Sequence, residues 1–235
     1  MKHRIVILLT GCLLVNPVFA SDMHDDDPLL SKIMIDRLEV VDERDANPVS
    51  WEASAWIGHD LEKVWLKTEG VYEDSEIHSA EYQLLYGWAI APYWDLMAGW
   101  RLDSKPVPDR NWLAFGIQGL APYFFETEAT LFLGEQDMSS IRLNLEYELM
   151  LTQRWVIIPE FEVNVYGNND RERGIGSGLS DVELSVRIMY EFKREFAPYI
   201  GVNWEKVLGS TADYAKDAGE HISDTTFSIG VHAWF

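Results

Sequence analysis

The 235-residue chain holds a single cysteine. It is Cys12, inside an apolar stretch near the N-terminus, so the rest has no disulfide and no thiolate for a metal. Any metal would have to be met by His, Met, carboxylate or backbone groups. Basic residues are scarce as well: 19 Lys and Arg stand against 39 Asp and Glu, a formal charge of −20. Phosphate backbones are bound by clustered cations, so nucleic acid is excluded as a partner, while a cation-attracting surface is favoured. Long apolar runs are missing too. After Pro28 no segment reaches transmembrane-helix length, and none repeats apolar residues at helical spacing over three turns. A nucleophile constellation such as G-x-S-x-G is also absent, so no enzyme is expected; Ser228 and His232 offer only a chance pairing for a lipid hydrolase. Gly174 to Gly178 looks like a phosphate cradle, but no helix starts there, and it reads as a flexible loop between strands.

What the chain does have begins with Lys2, His3 and Arg4, an apolar stretch from Ile5 to Val15, and the small-residue ending Val18-Phe19-Ala20. This layout predicts a secretory signal peptide over 1–20, with lipoprotein processing at Cys12 as a competing reading. A short acidic tail over 21–31 follows, and one barrel-sized domain over 32–235.

Within that domain apolar residues alternate with period two. Ile141, Leu143, Leu145, Tyr147 and Leu149 share one face, with Arg142, Asn144, Glu146, Glu148 and Met150 on the other. Similar runs predict twelve strands, near 33–41, 49–58, 62–72, 78–91, 93–103, 111–120, 123–134, 139–150, 154–167, 180–192, 197–208 and 225–235. Turns near Asp60, Pro92, Pro122, Thr152 and Glu195 are tight, and the intervening connections are longer and polar. Aromatic residues crowd near strand ends, and the last strand closes on Phe235. Together these predict an all-β fold: a closed antiparallel transmembrane up-and-down barrel of about twelve strands, set in the outer membrane with outer-membrane lipid around it. A soluble barrel with its apolar face inside is the alternative.

With the apolar face turned to lipid, the lumen receives Lys63, Lys67, Arg101, Arg142 and Arg187. It also receives Glu69, Glu81, Asp95, Glu126, Glu128, Glu146, Glu148, Glu160, Glu162, Glu183, Glu191 and Glu205. The excess of acid predicts a wet, cation-favouring interior rather than a dry plug, against the plainer reading of a structural hydrogen-bond network.

Met and His supply the softest donors, thioether suiting Cu(I) and imidazole Cu(II). Alternation puts Met97, Met150, Met189 and His232 on the lumen face beside Asp95, Glu148 and Glu191. In the tail, Met23 and His24 are further candidates. Were the signal cut after Ser21, His24 would be the third residue and could join the amino terminus and two backbone nitrogens in a square-planar Cu(II) site. The preferred cut after Ala20 makes it the fourth, and a disordered acidic tail is the alternative.

Several stretches resemble the copper resistance protein B family: Ile35-Asp36-Arg37-Leu38-Glu39, the WLKTEG run from Trp65 to Gly70, and the segments Ala80 to Arg101, Ala114 to Glu135, Leu151 to Gly167 and Glu172 to Glu220. They run in family order over nearly all of the expected mature chain. The resemblance implies an outer-membrane barrel of copper resistance or homeostasis, binding copper ions or aiding their export from the periplasm, with a periplasmic copper-handling protein as a possible partner. Family members commonly carry a long Met- and His-rich segment before the barrel; here only Met23 and His24 stand in that place. A general porin or structural barrel without a selective metal site is the alternative, and no motif transfers individual copper ligands.

Overall fold

The computed structural model describes residues 27–43, 46–135 and 137–235. The expected signal peptide over 1–20, Met23 and His24 lie outside the described residues.

Thirteen strand segments form one antiparallel sheet closed into a barrel of twelve staves: β1 (Leu30–Asp42), β2 (Val49–Gly58), β3 (Glu62–Glu73), β4 (Glu76–Ala91), β5 (Trp94–Lys105), β6 (Arg110–Ala121), β7 (Phe125–Gly134), β8 (Ser139–Tyr147), β9 (Leu149–Met150), β10 (Trp155–Tyr166), β11 (Gly178–Tyr190), β12 (Phe196–Val207) and β13 (Ser223–Trp234). Each stave pairs with its chain neighbours, and β13 returns to β1, so no edge remains to be satisfied. Phe235 seals the seam through mutual backbone bonds with Ile33 of 2.8 and 3.0 Å.

β8 and β9 are one stave interrupted at Glu148. Both keep one register against β10, Glu146 facing Glu160 and Leu149 facing Ile157. Pro159 on β10 lies in the gap and has no N–H to donate, so the ladder lapses there without a change of face.

The barrel is inside-out relative to a soluble protein. Ile229 is 70% exposed and Phe227 59%, whereas Arg101 and Arg187 are 5% exposed and Glu81 6%. Burying guanidinium and carboxylate while exposing aliphatic side chains makes sense only if the outer face meets hydrocarbon. The soluble-barrel alternative is thereby overturned.

One end carries the tight connections between β2 and β3, β4 and β5, β6 and β7, β9 and β10, and β11 and β12. Two of these share the sequence Ala-Pro-Tyr, at Ala91–Tyr93 and Ala121–Tyr123. Tyr93 and Tyr123 hold φ of 68° and 69°, a left-handed conformation that ordinarily selects Gly after Pro. Both rings are more than three-quarters exposed, as interfacial anchors at a barrel rim would be.

At the other end the expected pattern of long loops fails in two places. The connection from β3 to β4 is only Asp74-Ser75, both at positive φ (48° and 72°), the geometry of a two-residue hairpin turn. The segment after β12, expected to be a polar loop, contains helix α1 (Gly209–Ala218), closed by Gly219 at φ 80°. Its apolar residues are alanines rather than a long-chain stripe, which is why periodicity did not reveal it.

Candidate functional site

The register brings the predicted lumen residues inward and adds others. A β-bulge between Ile35 and Arg37 inserts one extra residue in β1, so consecutive Asp36 and Arg37 both face the lumen. Strict alternation would have sent one of them to lipid, and neither stood among the lumen residues read from the sequence. Glu52, Asp103 and Asp181 were also missed.

Half-way along the barrel these groups form a paired layer. Arg37 on β1 crosses to Glu160 on β10 at 3.0 Å while holding Glu52 at 2.6 Å. Arg142 on β8 reaches Glu69 at 3.0 Å and Glu81 at 3.2 Å on the far wall. Arg101 binds Glu81 at 2.7 Å and Asp103 at 2.6 Å. Arg187 is bonded to Glu146 and lies 3.2 Å from Glu160. Phe132 lies beneath two of these cations, 4.5 Å from Arg101 and 5.8 Å from Arg142. Carboxylates shared between guanidinium groups from opposite walls satisfy charges that water reaches poorly. The plainer expectation of a structural network therefore holds at this level.

Below the layer, toward the tight-turn end, the interior opens into a cavity of about 1140 Å³. Its lining runs from Asp60, Leu61 and Tyr93 at the rim up to Glu69, Glu81 and Arg142 in the layer. Thirteen carboxylates line it against five Lys or Arg side chains. Among the described residues, Asp95, Glu126, Glu148 and Glu191 form no ion pair. The excess negative charge thus gathers at the mouth, where a cation arriving from that end would first feel it.

The soft donors occupy the wall of this funnel unevenly. Met150 faces Val156, and Val156 faces Met189, so both methionines stand at one height on alternate staves. Met189 faces Tyr199 on β12, and two residues further along that strand Ala197 faces His232. Beyond His232 the seam brings Met34 and Asp36 of β1. Met34, Asp36, Met189 and His232 all line the cavity, whereas Met150, 70% exposed, lies outside its lining. Neighbouring staves are about 4.8 Å apart and residues rise about 3.3 Å along each, so the backbones of successive donors are separated by roughly 8 to 12 Å around the arc. Met97 does not join them. It is 4% exposed within an apolar cluster of Leu85, Trp112, Ala114 and Phe132 on the opposite wall, where its thioether fills space over Gly87.

His232 is oriented by a backbone contact. Its Nδ1 lies 3.3 Å from the backbone carbonyl of Asp36. Donation of Nδ1–H to that oxygen leaves the Nε2 lone pair available to a metal, the arrangement common to ligating imidazoles. The Asp36 carboxylate accepts a 2.8 Å bond from Ser54 Oγ. Among the described residues no three His, Asp or Glu side chains converge as a ready-made metal cluster. Ser228 and His232, four residues apart on one strand, are about 13 Å apart by strand rise and make no hydrolytic pair.

A family model described as copper resistance protein B precursor (CopB) matches residues 29–235. The chain is 45% identical over 203 residues to copper resistance protein B of Escherichia coli, covering 86% of this chain and 69% of that protein. It is 40% identical over 210 residues to a copper resistance protein B homolog of Pseudomonas syringae pv. tomato, covering 89% and 71% respectively. Among solved structures it is similar to the NanC porin, with a TM-score of 0.57 and 10% identity over 86% of this chain and 98% of that one. The KdgM porin gives a TM-score of 0.52 and 14% identity over 88% and 99%. At these identities the likeness to the porins concerns the fold alone.

Proposed function

This chain belongs to the copper resistance protein B family, and we propose that it is an outer-membrane barrel that binds copper ions at its periplasmic mouth and hands them along the inner wall in aid of export. The termini and tight turns share one end, the periplasmic one in barrels of this class. The funnel opens there, where a periplasmic copper-handling protein would deliver the ion. Copper is cargo in this reading, not a resident cofactor.

The observation that carries the proposal is the arc of Met189, His232 and Met34 with Asp36 on the cavity wall, with exposed Met150 beyond its end, backed by mouth carboxylates that form no ion pair among the described residues. Backbone separations of roughly 8 to 12 Å suit transfer between separate weak stations better than one tight cage. Thioethers favour Cu(I), imidazole and carboxylate accept Cu(II), and the carboxylates concentrate either ion. Met23 and His24, a few residues before the barrel, would add a capture point outside it. A general porin is the weaker reading, because ion pairs such as Arg37–Glu160 and Arg142–Glu81 cross the lumen from opposite walls. No step calls for catalysis.

The test is copper-challenged growth of a deletion strain carrying the wild-type chain or a Met189→Leu/His232→Ala variant, with folded levels matched by heat-modifiable gel mobility. The wild type is expected to restore growth and the variant to restore it only in part. Full rescue by the variant would remove the arc from the function, and a deletion strain with unaltered copper sensitivity would remove the copper role altogether.

A further inference from the structure

The outer end of the lumen is crossed by the segment over 167–177 that joins β10 to β11. This segment is a compact unit, since Asp170 and Ile175 exchange backbone bonds of 2.8 and 2.9 Å. It reaches walls well removed from its own staves. Arg173 Nη1 donates to Asp103 Oδ2 at 3.0 Å and Nη2 to the carbonyl of Lys105 at 2.8 Å, both on β5, five staves from β11. Arg110 on β6 binds Asp170 and Glu172 of the segment, each at 2.9 Å. Because Asp103 faces the lumen, the Arg173 guanidinium lies inside the mouth, 6% exposed.

Helix α1 travels with the segment. Thr211 Oγ1 accepts from Gly176 N at 2.9 Å and lies 2.9 Å from Ser180 Oγ, and Arg171 Nε donates to Tyr214 OH at 3.3 Å. Glycines at both ends of the contact region, Gly174 at φ 70° and Gly178 at φ 93°, hold conformations that other residues rarely adopt.

The socket shows how this cover could be released at modest cost. Asp103 is already bonded by Arg101 Nε at 2.6 Å and Trp112 Nε1 at 2.9 Å. Withdrawing Arg173 therefore strands no carboxylate in the wall. Arg173 Nε has no partner even when docked, and Arg110 stands at the rim, where water can replace Asp170 and Glu172. The barrel staves keep their ladder bonds when the cover lifts, with the 2.8 Å bond from Gly167 N to the carbonyl of Ser139 on β8 at its root.

We infer that residues 167–177 and α1 form a lid over the extracellular mouth, latched by Arg173 in the Asp103 socket and by Arg110, which opens as a unit without unfolding the barrel. Small hydrophilic solutes, cations foremost, are the class it would admit to the carboxylates behind it. This does not depend on what the periplasmic funnel binds.

Ser180, 2% exposed beneath Thr211, is the reporter. In outer-membrane vesicles bearing the full chain with Cys12→Ser and Ser180→Cys, labelling by a membrane-impermeant maleimide reads the open population. Labelling is expected to be slow in the latched protein and about tenfold faster or more in the Arg110→Ala/Arg173→Ala variant, since each lost contact is a charged hydrogen bond. Heat-modifiable mobility must show both barrels folded; should the double variant fail to fold, Arg173→Lys, which keeps charge but loses the two-point fork, is expected to give an intermediate rate. Equal rates in latched and unlatched barrels would overturn the lid, and so would a latched rate matching that of a cysteine placed at exposed Glu220.

Discussion

At the scale of single residues, His232 and Arg142 separate two roles for lumen polarity. His232 is positioned by one backbone contact and carries no packing burden, so His232→Ala should leave folding intact while weakening copper binding by about tenfold to a hundredfold, the range for loss of an imidazole ligand or its support; calorimetric titration of the refolded barrel checks this. Arg142 is structural. Replacing it with Ala removes the strut to Glu69 and leaves Glu81, whose side chain is 8% exposed, to Arg101 and Gln83. A cost of about 1.5 to 3 kcal/mol is expected from the lost charged hydrogen bonds, seen as a lower urea midpoint for unfolding from vesicles. Met97 shows where residue-level reading of the sequence runs out. Alternation placed it on the lumen side, yet lumen side is not cavity wall: Trp112 and Phe132 from neighbouring staves close over it, and such contacts are set by cross-strand packing that no local pattern encodes.

At the scale of elements, period-two alternation made the staves legible, and Val49–Gly58 stands where the sequence put it. Devices that break the period were not legible. The bulge in β1 hid Asp36 and Arg37, because one inserted residue is invisible to a count of alternating positions. The Asp74-Ser75 turn was hidden because β3 and β4 continue past their apolar stretches as a polar ribbon. Ser75 holds φ 72° there, so Ser75→Gly is expected to raise the urea midpoint by the equivalent of about 0.5 to 1 kcal/mol through relief of the left-handed conformation; an unchanged or lowered midpoint would contradict that turn geometry. Helix α1 was missed for a different reason: ten residues without an apolar stripe are held by docking against β11 rather than by their own propensity.

At the scale of the whole molecule, a formal charge of −20 divides into a paired middle layer and an acidic mouth, a division that depends on which staves face each other across the lumen and so could not be read from the chain alone. An acidic funnel should speed cation entry in a salt-dependent way. The association rate of copper is expected to fall steeply as ionic strength rises from about 0.01 to 0.15 M, over which the Debye length shrinks from about 30 to 8 Å; a rate indifferent to salt, measured by stopped-flow quenching of tryptophan emission, would remove the mouth carboxylates from capture. The most direct test of copper binding by the barrel wall is the copper stoichiometry of the refolded, signal-free protein by isothermal titration, compared with the same protein lacking residues 21–26, a cut that leaves β1 whole from Leu30. Binding that survives the cut and is then lost in Met189→Leu/His232→Ala is the expected result, and binding that disappears with residues 21–26 would make the barrel an anchor for its tail.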